Sequence, residues 1–123
     1  MDAQTMLRTA VVLLVITALG GLLMAGMRFT GRPRPPSSIA MLHGLLAAAS
    51  LTLILYAGFT AGMPGGGWGG LVLLLVAVLG GLTLNLRYHS QGLELPMGLM
   101  LGHAALAVIG FLVLALSVWN LKG

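Results

Sequence analysis

Two histidines fall well inside the long apolar stretches of this sequence, His43 and His103, and they stand 60 positions apart. Ionisable residues in the interior of a bilayer are costly, and they commonly mark a binding site or a pathway. A neutral imidazole can bind a metal, whereas a histidine that only packs helices acts as an interhelical hydrogen-bond donor. The pair therefore predicts either one shared ligand or two packing contacts.

The chain has four long apolar stretches, and the second and fourth contain these histidines. Each stretch has the roughly 20 residues that a membrane-spanning helix needs. The chain is 59% hydrophobic and 7% charged, too little charge to cover the surface of a soluble domain. We predict one all-helical membrane domain over residues 1–123, with no separate soluble domain. The predicted helices are Leu7–Met27, Ser37–Thr60 with Ser37 or Ser38 as N-cap, Leu71–Tyr88, and Pro96 to about Trp119; the connections are Arg28–Pro36, an uncharged turn at Gly62–Gly70, and His89–Leu95.

An internal repeat relates the two halves of the chain. A shift of 60 residues aligns Val11–Leu22 with Leu71–Leu82 without a gap, and it also superimposes two Gly-Gly pairs and the two histidines. We predict a duplicated two-helix hairpin, with repeat 1 at about 7–60 and repeat 2 at about 67–120. Each copy crosses the membrane twice, so both enter it in the same direction, related by a pseudo-twofold axis along the membrane normal. The histidines then lie at one depth.

The distribution of basic residues predicts the orientation, because short cytoplasmic loops carry an excess of lysine and arginine. The first and third loops carry Arg28, Arg32, Arg34 and Arg87, and the opposite face carries Arg8 and Lys122. We predict that these two loops are cytoplasmic and that both termini lie outside, in a bacterial inner membrane. The formal charge of +4 reflects these topology signals, so no nucleic-acid partner is expected.

Two axial imidazoles at one depth suit haem b. Diagonal helices in a square bundle lie about 12–14 Å apart, which is too far for a direct imidazole–imidazole hydrogen bond but leaves room for a flat macrocycle between the rings. Zinc would need three or four protein ligands, and no third ligand lies at this depth. Haem needs only two, since the porphyrin supplies the other four nitrogens. We predict one haem b with His43 and His103 as the ligands of its iron.

Two further sets of residues suit the periphery of that cofactor. Glycine pairs on helices 1 and 3 would let a macrocycle edge approach the backbone, and arginines at the cytoplasmic helix ends would bind the haem propionates. These residues are Gly20, Gly21, Gly80 and Gly81, and Arg28 and Arg87, with Arg32, Arg34 and His89 as further candidates. A stripe of small residues below each histidine would let helices 2 and 4 approach each other; the stripes are Ala47 and Ser50, and Ala107 and Gly110.

The segments LHGLLA (Leu42–Ala47) and GHAALAVIGF (Gly102–Phe111), with the glycine pairs opposite, resemble membrane b-type cytochromes of the cytochrome b561-like four-helix kind. The resemblance implies a haem b held by His43 and His103 that cycles between ferric and ferrous iron. The b561-like proteins hold two such haems, one near each face, whereas the outer half of this chain contains no histidine. One haem implies a quinone-linked electron carrier, or an accessory subunit that contacts a membrane-protein partner or a second copy, rather than electron transfer across the membrane.

Other functions stay open at this point. The histidines could pack helices in a cofactor-free structural or assembly subunit, or each could bind one bacteriochlorophyll. A haem-handling protein is a further alternative. The duplicated hairpin could also form half of a transporter, although no acidic residue lies within the spans. No nucleophile–base pair or carboxylate pair is present, so a non-catalytic electron carrier or accessory subunit is favoured over an enzyme.

Overall fold

The computed structural model describes residues 1–119, and every regular element in that part of the chain is helical. The helices are α1 (Ala3–Phe29), α2 (Ser37–Ala61), α3 (Gly67–Thr83) and α4 (Met97–Trp119), with a π-helical turn at Leu84–Tyr88 and a 3-10 turn at His89–Gln91 continuing α3. All four spans, α3 taken together with its continuation, are long and apolar enough to cross a membrane. The predicted four-helix membrane bundle is confirmed. Lys122, used to predict orientation, lies outside the described residues.

The bundle consists of two hairpins. Helix α1 packs along α2 and α3 packs along α4, while the hairpins meet chiefly through α1 and α4; α2 and α3 touch at few residues. Helices α2 and α4 therefore lie on a diagonal. Near the termini, an apolar cluster that includes Leu7, Ile54, Leu71 and Leu114 joins all four helices. A smaller cluster of Leu84, Leu95 and Met100 lies near the other end. By chain position, the histidines lie between the two clusters.

Burial follows the 60-residue repeat. The buried residues of α1 are Leu7, Ala10, Val11, Leu14 and Thr17, and those of α3 are Gly67, Gly70, Leu71, Leu74 and Ala77. Each residue of the first set lies 60 positions before its counterpart in the second. Helix α4 likewise begins at Met97, 60 positions after Ser37 begins α2. The two hairpins thus bury the same faces, which supports the predicted duplication.

The predicted turn at Gly62–Gly70 is wrong in its second half, because α3 already begins at Gly67. A Cβ at Gly70 would lie 2.8 Å from the Leu114 backbone nitrogen and 2.9 Å from the Gly110 carbonyl oxygen. Glycine is needed there because it lets the two helix backbones approach so closely. The same contact corrects the prediction for the small-residue stripes, since Gly110 brings α4 against α3 and not against α2.

Both helices of the first hairpin begin differently from the prediction. Pro36 occupies the N-cap position of α2, and no serine side chain caps that helix. Helix α1 starts at Ala3 because the Asp2 carboxylate accepts hydrogen bonds from the Thr5 N–H at 2.8 Å and from the Thr5 hydroxyl at 3.0 Å. These two donors favour the charged carboxylate, so they hold the pKa of Asp2 below its usual value.

The first and third loops are bonded to each other at one end of the bundle, called here the loop face (residues 30–36 and 84–96). Arg28 Nε donates to the Leu95 carbonyl at 3.0 Å, and the Arg28 guanidinium forms an ion pair with Glu94. The Leu95 N–H in turn donates to the Pro33 carbonyl at 3.1 Å. The two loops predicted to share one side of the membrane therefore share one end of the molecule.

Candidate functional site

Both membrane histidines reach a backbone carbonyl on the other helix of their own hairpin. His43 Nδ1 lies 2.8 Å from the Thr17 carbonyl oxygen, and His103 Nδ1 lies 2.6 Å from that of Ala77. A carbonyl oxygen can only accept, so each Nδ1 carries the hydrogen and donates it. In a neutral imidazole this leaves a free lone pair on Nε2. The two repeats therefore hold their histidines in one tautomer, with the same nitrogen left available.

The two imidazole rings also face each other between the hairpins. Their centroids are 6.2 Å apart and their planes are inclined at 71°. Both side chains are half-buried, and within residues 1–119 each makes its hydrogen bond through Nδ1. The structure thus brings together the two residues that the repeat predicted to lie at one depth.

The glycine pairs lie directly against these rings. A Cβ at Gly21 would stand 3.1 Å from Cε1 of His43, and a Cβ at Gly81 would stand 3.0 Å from Cε1 of His103. A Cβ at the preceding glycine would also lie near each ring, 3.9 Å from Nδ1 of His43 for Gly20 and 3.7 Å from Nδ1 of His103 for Gly80. Each pair lies about one turn beyond the carbonyl that accepts the hydrogen bond. Its direct role is therefore to let an imidazole lie close to the backbone of the neighbouring helix.

The arginines expected near a cofactor make their contacts on the loop face. Arg28 is bonded to Glu94 and to the Leu95 carbonyl, while the Arg87 guanidinium lies 5.7 Å from the ring centroid of Tyr88. Arg32 and Arg34 line a cleft on the same face, together with His89. The structure therefore gathers the histidines and glycines into one cluster and places the arginines among the loops.

Sequence reasoning missed the groups that orient the histidines. The acceptors are the backbone carbonyls of Thr17 and Ala77, and a carbonyl is the same whatever side chain its residue carries. The 60-residue shift does pair these two positions, yet their side chains differ, so no motif marks them. The π-helical turn at Leu84–Tyr88, which α1 lacks, was also missed.

The chemistry open to this cluster follows from its two free nitrogens. Within the described residues, no group of three or more metal-ligating side chains lies together. Two imidazole nitrogens alone could ligate only a metal that brings its other ligands with it. Comparison with known protein families, with characterised proteins and with solved structures finds no match.

Gly21→Ala should displace the His43 ring, because the new methyl group would stand 3.1 Å from Cε1. We expect a weaker Nδ1–H bond to Thr17 and a loss of about 1 kcal/mol in the free energy of unfolding. The measurement is the ¹⁵N chemical shifts of the ring nitrogens in histidine-labelled protein. Gly26→Ala is the matched control, since a Cβ there meets nothing within 4 Å. Identical histidine spectra for both variants would show that Gly21 does not position the ring.

Proposed function

We propose that this chain is a membrane-embedded b-type cytochrome that holds one haem b between His43 and His103 and carries electrons. The observation that carries the proposal is the matched hydrogen bonding of the two rings. A histidine that binds a metal almost always donates its other N–H to a carbonyl, a carboxylate or water, which fixes the tautomer and the ring orientation. Both histidines do so through Nδ1, to carbonyls 60 positions apart.

The spacing of the rings supports the same proposal. A bond between a metal and an imidazole nitrogen is about 2 Å long, so two imidazoles on opposite sides of one metal have their centroids about 6 Å apart. The observed separation is 6.2 Å. Haem suits a site with only two protein ligands because its porphyrin supplies four nitrogens. Helices α2 and α3 touch at few residues, so a haem macrocycle could enter between them with little loss of packing.

The surroundings of the rings suit a buried electron carrier. Bound haem would supply a one-electron ferric–ferrous couple, whose potential depends on axial ligands, hydrogen bonds and burial. The carbonyls of Thr17 and Ala77 orient the two imidazoles, and apolar clusters lie on either side of them along the chain. Haem propionates would lie toward the loop face, with Arg28 and Arg87 as first candidates for pairing and Arg32, Arg34 and His89 as alternatives.

Because we propose only one haem, near one face of the membrane, the proposed role does not include electron transfer across the membrane. The carrier would exchange electrons with a quinone in the bilayer, or it would serve as an accessory subunit beside a membrane-protein partner or a second copy. We place it in a bacterial inner membrane with the loop face cytoplasmic and both termini outside. That orientation rests on the excess of arginine in the first and third loops.

The test is an absorption spectrum of the detergent-purified protein, oxidised and dithionite-reduced, after expression with ample haem supply. A bis-histidine haem gives a Soret band, with sharp α and β bands on reduction. We expect about one haem per chain from the pyridine haemochrome assay. A featureless visible spectrum under these conditions would refute the cytochrome proposal.

A second candidate is a cofactor-free structural or assembly subunit of a membrane complex. One observation favours it: each histidine already makes an interhelical hydrogen bond inside its own hairpin and packs on glycine. Such a bond contributes about 0.6 kcal/mol on average in membrane proteins. This candidate predicts small stability losses from histidine substitutions and no visible spectrum in any variant.

A further inference from the structure

A cleft of about 310 Å³ opens on the loop face, beside the start of α2. Its lining includes Arg32, Arg34, Pro35, Pro36, Ser37 and His89. It lies outside the histidine cluster, and its lining does not include Arg28 or Arg87, the first candidates for pairing with the haem propionates. Its volume is near the lower end of the range for small-molecule pockets, about 300–1,000 Å³, and suits a phosphate group with its nearest substituents.

The cleft concentrates positive charge that the protein does not neutralise. Arg32 and Arg34 line it, and among the described residues no aspartate or glutamate does. The chain has two acidic residues in all. Glu94 forms its ion pair with Arg28, and Asp2 caps α1 at the other end of the bundle. A bound anion would therefore meet two arginines with no acidic side chain between them.

The start of α2 adds further donors to the same cleft. Ser37 is the first helical residue, and no side chain caps the helix, so the first-turn N–H groups keep their partial positive charge. The segment before it is held in place, because Pro35 is buried and its carbonyl accepts a hydrogen bond of 2.7 Å from His89 Nε2. Prolines also restrict the backbone here. The backbone on this side of the cleft is therefore held in place.

Its position identifies the class of ligand. The cleft lies where α2 begins, a helix long and apolar enough to cross a membrane, and the end of such a helix would lie near the lipid headgroups. Basic pockets at the ends of membrane helices attract anionic phospholipids, and guanidinium groups bind phosphate oxygens in a bidentate manner. We propose that this cleft binds the phosphate headgroup of an anionic phospholipid. The proposal does not depend on haem binding.

The test measures lipid retention by the full-length protein in native mass spectrometry, after titration with phosphatidylglycerol, cardiolipin or zwitterionic phosphatidylcholine. We expect retention of both anionic lipids but not of phosphatidylcholine. Arg32→Gln combined with Arg34→Gln should weaken retention at least tenfold, since hydrogen bonds to charged groups are lost. The double variant with Arg32→Lys and Arg34→Lys keeps the charge, and its lipid retention should fall between that of wild type and that of the double glutamine variant. It tests the site even if the glutamine variant expresses poorly.

The control is Arg8→Gln, which removes an exposed charge outside the cleft, near the other end of the bundle; its lipid affinity should stay within twofold of wild type. If this control lost as much lipid affinity per charge removed, general surface charge would explain the binding and the proposed site would be wrong. Unchanged retention in the glutamine pair would overturn it as well. Displacement of the lipid by equimolar inorganic phosphate would assign the cleft to a free anion and refute the lipid proposal.

Discussion

Replacing either His43 or His103 with alanine is expected to abolish completely the spectrum of the proposed bis-histidine haem. Each histidine is expected to supply one of the two axial nitrogens, and each is oriented separately by its own carbonyl. Loss of either nitrogen would remove one of the two protein ligands of a bound haem, so the sharp reduced α and β bands should disappear in both single variants. The measurement is the reduced-minus-oxidised spectrum of purified protein, with haem content per chain.

Neighbouring substitutions provide the controls for this prediction. Leu42→Ala changes an exposed residue beside His43, and Gly102→Ala adds a methyl group beside His103 where nothing lies within 4 Å. Both should keep the wild-type spectrum. Imidazole added to the His43→Gly or His103→Gly variant should restore the bands if the side chain is a ligand and not a packing residue. Persistence of the bands in either alanine variant would exclude that histidine as a ligand.

Gly70→Ala is expected to destabilise the bundle by about 1–3 kcal/mol, the usual cost of overpacking. The added Cβ would stand within 3.0 Å of backbone atoms of Gly110 and Leu114, so relief requires that α3 and α4 move apart. A flexible side chain could rotate away, but a helix backbone cannot do so locally. The measurement is the free energy of unfolding in detergent micelles, followed by far-ultraviolet circular dichroism.

The adjacent residue is the matched control for that substitution. A Cβ at Gly69 meets nothing within 4 Å, although Gly69 lies in the same helix turn. Gly69→Ala should be neutral or stabilising by up to about 1 kcal/mol, because alanine favours the helix over glycine. Equal effects of the two substitutions would show that helix propensity, and not the close approach of α3 to α4, explains the cost.

The membrane bundle could be predicted from residue order because its physical causes are local. Runs of about 20 apolar residues must form helices in a bilayer, where every backbone polar group needs an internal partner. The 60-residue repeat then relates the two hairpins and places His43 and His103 at one depth. The close approach of their rings, with centroids 6.2 Å apart, agrees with that symmetry.

Other features depend on which surfaces meet, and local pattern does not encode this. Gly67–Gly70 reads as a turn by composition, yet it is helical because Gly70 packs against the α4 backbone. Gly110 was expected to face α2 and instead faces α3 for the same reason. The pairing of Arg28 with Glu94 likewise arises only when the first and third loops meet.

The candidate site was likewise predicted in part from the sequence and decided in part by the tertiary structure. Residue types and spacing alone identified two histidines, four glycines and their common depth, since imidazole and glycine are chemically distinctive and recur at a single offset. Only the folded chain decided which nitrogen of each ring is free, because that depends on a carbonyl from the neighbouring helix. Carbonyls belong to every residue and carry no sequence signature, so packing alone selects those of Thr17 and Ala77.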